Sequence, residues 1–166
     1  MATINYDGEE WEVIAEADSP DALKQVTPSR ADLPAGTIGL VKVSIPWYAG
    51  GGLGAKVFDL AGAEQTIGNY LAPAHCEILD CYEEGGKGYI KFRVEGSPVV
   101  PILIALALGV LGIGVIGAIV VAVRSPSFFD PAAWGEALIP IGLIAVGGLI
   151  LLQGGNHGEK SRIKRR

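Results

Sequence analysis

The chain has 166 residues, 49% of them hydrophobic, with a formal net charge of −5. That length admits one small folded domain plus short additional segments. Charge is unevenly divided: residues 1–98 hold 15 acids against 7 bases (net −8), and 99–166 hold 3 acids against 6 bases (net +3). An acidic N-terminal part argues against nucleic acid as a partner, because phosphate binding requires clustered Lys and Arg.

The first residues, Met1 to Gly8, have neither a basic n-region nor an apolar h-region, so no secretory signal is expected there. Asp7-Gly8 between Thr3–Tyr6 and Glu9–Ala17 is a strong hairpin turn signal. Strict alternation in the second strand puts Trp11, Val13 and Ala15 on one face and Glu10, Glu12 and Glu16 on the other, with Ile14 misplaced among the acids. Ser19-Pro20-Asp21 predicts a capped short helix to about Val26. Thr37 to Trp47 reads as a half-buried strand through Val41, Val43, Ile45 and Trp47.

Leu53 to Leu71 approximates helical spacing, although Gly62 and Gly68 weaken it by about 1 kcal/mol each relative to Ala. Cys76–Tyr82 and Tyr89–Glu95 predict a second hairpin around Glu83–Gly88. The fold class is therefore a small α+β domain: hairpin, short helix, strand, helix, hairpin. Its expected range is 1–96, with 97–98 as a short linker.

Two uncharged runs follow, Val99 to Val123 and Ala137 to Leu152. The first exceeds the roughly 18 residues that mark a membrane-spanning helix, and the second reaches that length over 134–153. A two-span hairpin is expected, with helices at 99–123 and 134–153, a loop at 124–133 and a tail at 154–166. Phe128, Phe129 and Trp134 suit an interfacial aromatic belt. The basic residues Lys160, Arg162, Lys164, Arg165 and Arg166 hold the tail on the cytoplasmic side, and two spans bring the acidic head back to that side. They also suit contact with anionic lipid.

Four groups of residues invite a functional reading. In the spans, Gly109, Gly112, Gly114, Gly117, Ala118 and Ala122, with Gly142, Gly147 and Gly148, form small-residue surfaces for close helix approach. The bland reading is that the two spans pack only on each other. The loop Gly50, Gly51, Gly52, Gly54 and Lys56 follows a strand and opens a helix, a setting for phosphate. Its spacing fits neither the P-loop nor the dinucleotide fingerprint, so a turn, or a loop touching headgroups or a partner, is the better reading.

His75, Cys76 and Cys81 carry ligand chemistry, but strict alternation sends the two cysteines to opposite faces. They read as core residues, and no metal or cofactor is expected. The acids Glu9, Glu10, Glu12, Glu16, Asp18 and Asp21 read as a solvated face, or else as a docking surface for a basic partner.

Neither run carries an interior charged or amide side chain, which argues against a transporter. The expectation is a non-enzymatic, membrane-anchored structural or interaction subunit. Its partners are the lipid bilayer and other membrane subunits, in a homo- or hetero-oligomer such as the membrane layer of a virus particle. The alternatives are a holin-like oligomeric pore and a membrane-tethered nucleotide- or phosphate-binding module.

Overall fold

The computed structural model describes residues 2–124. The chain divides into two units, 1–126 and 127–166, and the second lies outside the described residues. So do the expected span at 134–153, the aromatic belt and the basic tail.

The described part is α+β. The first hairpin joins β1 (Thr3–Tyr6) to β2 (Glu9–Ala17), and both turn residues, Asp7 (φ 54°) and Gly8 (φ 75°), are left-handed, as a two-residue turn between twisted strands requires. Ser19 caps α1 (Pro20–Leu23), its Oγ accepting from the Ala22 amide at 3.2 Å. A two-residue strand, β3 (Asp32–Leu33), precedes β4 (Ile38–Ser44). A 3₁₀ turn (Trp47–Ala49), the short helix α2 (Gly51–Ala55) and a second 3₁₀ turn (Lys56–Asp59) lead into α3 (Ala61–Leu71).

The expected helix from Leu53 to Leu71 is therefore broken, with Leu60 extended (ψ 129°) at the break. The break re-phases the chain: Phe58 is fully buried, while Leu53 and Leu60 are exposed.

The second hairpin, β5 (Cys76–Glu84) and β6 (Lys87–Val94), turns on Gly85-Gly86. Its strands are longer than the alternation suggested. Ser97 and Pro98 do not form a linker. They make β7 (Ser97–Pro98), pairing with β3, and the buried Ser97 hydroxyl donates to the Ala74 carbonyl at 2.9 Å.

The largest departure from the sequence reading lies in the first apolar run. Residues 99–123 are not one helix. They form α4 (Val99–Gly112), a turn, and β8 (Ala118–Arg124). At about 1.5 Å per residue, fourteen residues reach about 21 Å, short of a hydrocarbon core of about 30 Å. Among the described residues no helix is long and apolar enough to cross a membrane.

The physical reason is local. Gly114 adopts φ 78° just after Gly112, a left-handed conformation that ends the helix. Ile119, Val120, Val121 and Val123 then favour an extended chain, because branching at Cβ restricts χ1 in a helix.

β8 enters the middle of a six-stranded antiparallel sheet in the order β1-β2-β8-β4-β6-β5. It pairs with β4 from Ile38↔Arg124 to Ser44↔Ala118 and with β2 from Glu12↔Val123 to Ala17↔Ile119. A strand covered on both faces reads as a continuous apolar run, which is why it resembles a span.

The main core lies between one sheet face and the helices. Val41, Val43, Ile90, Phe92, Ile119 and Val121 meet Ile67 and Leu71 of α3, Leu23 of α1, and Ile102, Leu103 and Leu106 of α4. The opposite face carries a smaller core of Trp11, Leu40, Tyr89 and Ala122, flanked by Ile4, Tyr6, Val13, Ile38 and Tyr82.

An irregularity in β2 between Val13 and Ala15 feeds both cores. Val13 packs with the small one, while Ile14 and Ala15 enter the large one. Ile14 already faces the main core by alternation with Val13, and the extra residue of the bulge brings Ala15 and Ala17 onto that face beside it.

Candidate interaction surface

The two edge strands of the sheet meet. Tyr6 on β1 and Tyr82 on β5 share a 2.5 Å hydroxyl–hydroxyl hydrogen bond, and Tyr6 also donates to Glu84 Oε2 at 2.9 Å. The Tyr89 ring stacks against both, with centroids 5.0 Å from Tyr6 and 5.4 Å from Tyr82. The sheet is thus coiled, and three tyrosines latch its margins together.

Burial, then the bonds to Tyr82 and Glu84, push the Tyr6 hydroxyl pKa well up, and burial raises Tyr82 and Tyr89 as well. Lys91 lies 6.0 Å over the Tyr6 ring. On the same face the Lys42 amine is lowered, first by burial and then by neighbouring Lys87. Sequence reading missed this cluster because its members come from three strands, and pairing distance is invisible to local pattern. With the ring faces stacked on each other, the trio acts as closure rather than as an open platform.

The acidic run is partly neutralised within the fold. Glu12 binds Arg30 through two contacts (3.0 Å to Nε and 2.5 Å to a terminal nitrogen), and Glu9 pairs with Arg124, whose guanidinium lies 5.5 Å from the Trp11 ring. Glu10 and Glu16 remain exposed.

The cysteines are free and buried. A second strand irregularity, between Ile78 and Asp80, places Cys81 opposite Ile90 and Cys76 opposite Val94, so both enter the main core. Alternation had separated their faces, and the extra residue reunites them. Five residues of strand still keep them about 16 Å apart, beyond disulfide reach. Burial pushes their pKa values up, to about 11 for Cys76 and about 12 for Cys81. Among the described residues no three His, Cys, Asp or Glu side chains group as metal ligands.

Of the small residues expected on membrane helices, those in the described part have places inside the fold. A Cβ on Gly109 would stand 3.3 Å from Ile67 Cα, and one on Gly112 would stand 3.2 Å from the Tyr70 ring, so α4 lies against α3 through these two glycines. Gly114 and Gly117 belong to the turn before β8, and a Cβ on Gly117 would reach 2.5 Å from the Ser44 carbonyl oxygen. Ala118 and Ala122 are on β8, so with Gly114 they do not make a helical ridge. Gly142, Gly147, Gly148, Phe128, Phe129, Trp134, Lys160, Arg162, Lys164, Arg165 and Arg166 lie outside the described residues. Beside α3, a shallow cleft of about 380 Å³ is lined by Tyr70, Pro73, Pro101, Ile104 and Leu108.

The glycine loop has a different character from the one its position suggested. Gly50 (φ 105°) and Gly51 (φ 44°) open a helix of five residues, and Gly52 abuts Gly86 of the second hairpin, a Cβ on Gly86 standing 3.7 Å from Gly52 Cα. Lys56 follows as the cap of that helix. The glycines let the chain reverse tightly and pass close to its neighbour.

What the loop displays is apolar: Trp47 is 88% exposed, Tyr48 75% and Leu53 81%. Trp47 does not continue the strand face of Val41 and Val43. The ladder ends at Ser44, and Pro46, without an amide hydrogen, turns the chain outward.

No known protein family, curated protein or solved structure matches this chain.

Proposed function

We propose that the protein is a non-enzymatic, membrane-anchored subunit of a larger assembly, in which a coiled α+β domain is the interaction module and the C-terminal run is the anchor. The observation that carries this reading is the unequal fate of the two apolar runs. Residues 99–123 are accounted for by a packed helix and a central strand. The uncharged stretch 137–152 with its flanks reaches bilayer length and is followed by five basic residues.

One span replaces the expected two, which changes the topology. The domain and the tail then lie on opposite faces of the bilayer. The charge rule keeps the tail cytoplasmic and assigns the domain to the other face. The pore and nucleotide alternatives gain no support, because Gly109 and Gly112 serve α3–α4 contact and Gly50–Gly54 serve a tight turn.

Alkaline carbonate extraction of membranes tests the anchor. The full chain should remain in the pellet, and a chain lacking 134–153 should move to the supernatant. Retention of the shortened chain would refute the reading.

A further inference from the structure

Residues 57–86 contain six acids (Asp59, Glu64, Glu77, Asp80, Glu83 and Glu84) and no Lys or Arg. They run through α3 into β5, the long edge strand of the sheet. An edge strand presents unpaired backbone donors and acceptors, which proteins guard with charges and bulges. Here the guard covers only half of the edge. The Cys81 amide donates to Asp80 Oδ1 at 2.9 Å, and the Glu83 amide donates to Asp59 Oδ1 at 2.7 Å.

The other half is open. Val94 exchanges backbone bonds with Gly36 and Thr37 on the β4 side. Its register partner Cys76, and Ile78 two residues on, therefore direct their backbone groups away from β6. Cys76 is buried, and among the described residues nothing bonds the half-buried Ile78 amide.

Two shallow clefts, of about 370 and 460 Å³, lie between α3 and this half of β5 and share Gly68 and Ile78, so they form one trough. Gly68 lets helix and strand approach: a Cβ there would stand 3.2 Å from Ile78 Cγ2. Glu64 lines one cleft, and Glu77 and Glu95 line the other. Glu77 pairs with Arg93 at 3.6 Å, while Glu64 and Glu95 have no ion-pair partner among the described residues. Burial first, then the charges of Glu64, Asp80 and Asp59, push up the Cys81 thiol; burial and then Glu95 push up Cys76. The carboxylate field thus reaches the strand from the trough.

We propose that this trough takes an extended peptide with basic side chains, which adds as a strand along residues 76–79 and sets its cations against Glu64 and Glu95. The inference rests on the reading of the domain as an interaction module and names the chemistry of its partner. Strand addition supplies affinity through the backbone, and side chains facing the trough supply selectivity. Charge decides the occupant. A second copy pairing through the same edge would set two groups of these acids face to face, which like charges oppose, whereas a basic strand neutralises them. Leu79, the extra residue of the β5 irregularity and 38% exposed, gives an apolar side chain of the peptide a neighbour at the end of the open stretch.

The test uses the full chain in a mild non-ionic detergent. The probe is a fluorescent hexapeptide alternating Lys and Val, blocked at both ends. Saturable binding by anisotropy is expected, with amide hydrogen exchange slowed over residues 76–80 and unchanged in β1. Glu64→Gln with Glu95→Gln should weaken binding about tenfold, and Glu10→Gln with Glu16→Gln, exposed acids on β2, should leave it unchanged. A probe N-methylated at every amide keeps its charge but donates no ladder bond, and should bind at least about tenfold more weakly. Equal binding of the methylated probe overturns strand addition. Equal weakening by the β2 pair, or protection outside 76–80, overturns the location. Absence of saturable binding overturns the inference as a whole. None of these results alters the carbonate extraction, by which the anchor is judged separately.

Discussion

Val121 and Val120 are adjacent on β8, yet the sheet treats them oppositely. Val121 is fully buried in the main core between β2 and β4, while Val120 faces the other side and is partly exposed near Lys42 and Glu16. Val121→Ala removes the equivalent of two methylenes, about 1.6 kcal/mol of transfer free energy. The vacated space collapses only in part, bringing the loss to about 2–3 kcal/mol. Val120→Ala forfeits part of that burial and a little strand propensity, about 0.5 kcal/mol.

Urea unfolding of the full chain in a mild non-ionic detergent, followed by fluorescence, resolves the two. With a slope of about 1–3 kcal/mol/M, Val121→Ala should lower the midpoint by about 1–2 M and Val120→Ala by a few tenths. Equal losses at both positions, or none at either, would refute the central placement of β8. A membrane-embedded helix would show the latter.

Tyr6→Phe removes a hydroxyl that joins Tyr82 and Glu84, and should cost about 1–2 kcal/mol in the same assay at neutral pH. Because the Tyr6 pKa is raised in the fold, its contribution is present below the ordinary tyrosine value of about 10 and is lost as pH rises above it. The alkaline fall in stability should therefore be shallower in Tyr6→Phe, and an unchanged alkaline profile would contradict the latch. Cys76 and Cys81, buried and with raised pKa values, should stay unmodified by an aromatic disulfide reagent at pH 8 until denaturant is added. Rapid reaction of either thiol in the folded chain would show that the core around β5 is open.

Much of the local structure was legible because it depends on neighbouring residues alone. Asp7-Gly8 specified the first hairpin, Gly85-Gly86 lay within the loop expected for the second, and Ser19-Pro20 started α1. What escaped depends on partners distant in sequence. One extra residue in β2 brings Ala15 and Ala17 onto the helix-covered face beside Ile14, and one in β5 brings Cys81 onto the face of Cys76; alternation has no means of registering either insertion.

Apolar continuity over 99–123 fits a span and equally fits a helix followed by a strand buried on both faces. The deciding signals are ambiguous in sequence: Gly112 and Gly114 suit close helix packing as well as a helix end, and the branched residues from Ile119 to Val123 suit an apolar span as well as a strand. The loop was located correctly. Its exposed face was hidden by the apparent continuation of β4 to Trp47, although Pro46 marked the end of that strand.

The central claim is that the first apolar run completes the sheet, and a pair of engineered cysteines tests it most directly. Lys42 and Val120 are register partners on neighbouring strands and share a face. Directly opposed residues of this kind have Cβ atoms about 4.5–5.5 Å apart. Lys42→Cys with Val120→Cys should form a disulfide on mild oxidation, identified by peptide mass, while Lys42→Cys with Val121→Cys should not, because Val121 points to the other face. A crosslink in the first pair alone is the predicted result. Absence of the 42–120 crosslink, or equal yields from both pairs, would contradict the account.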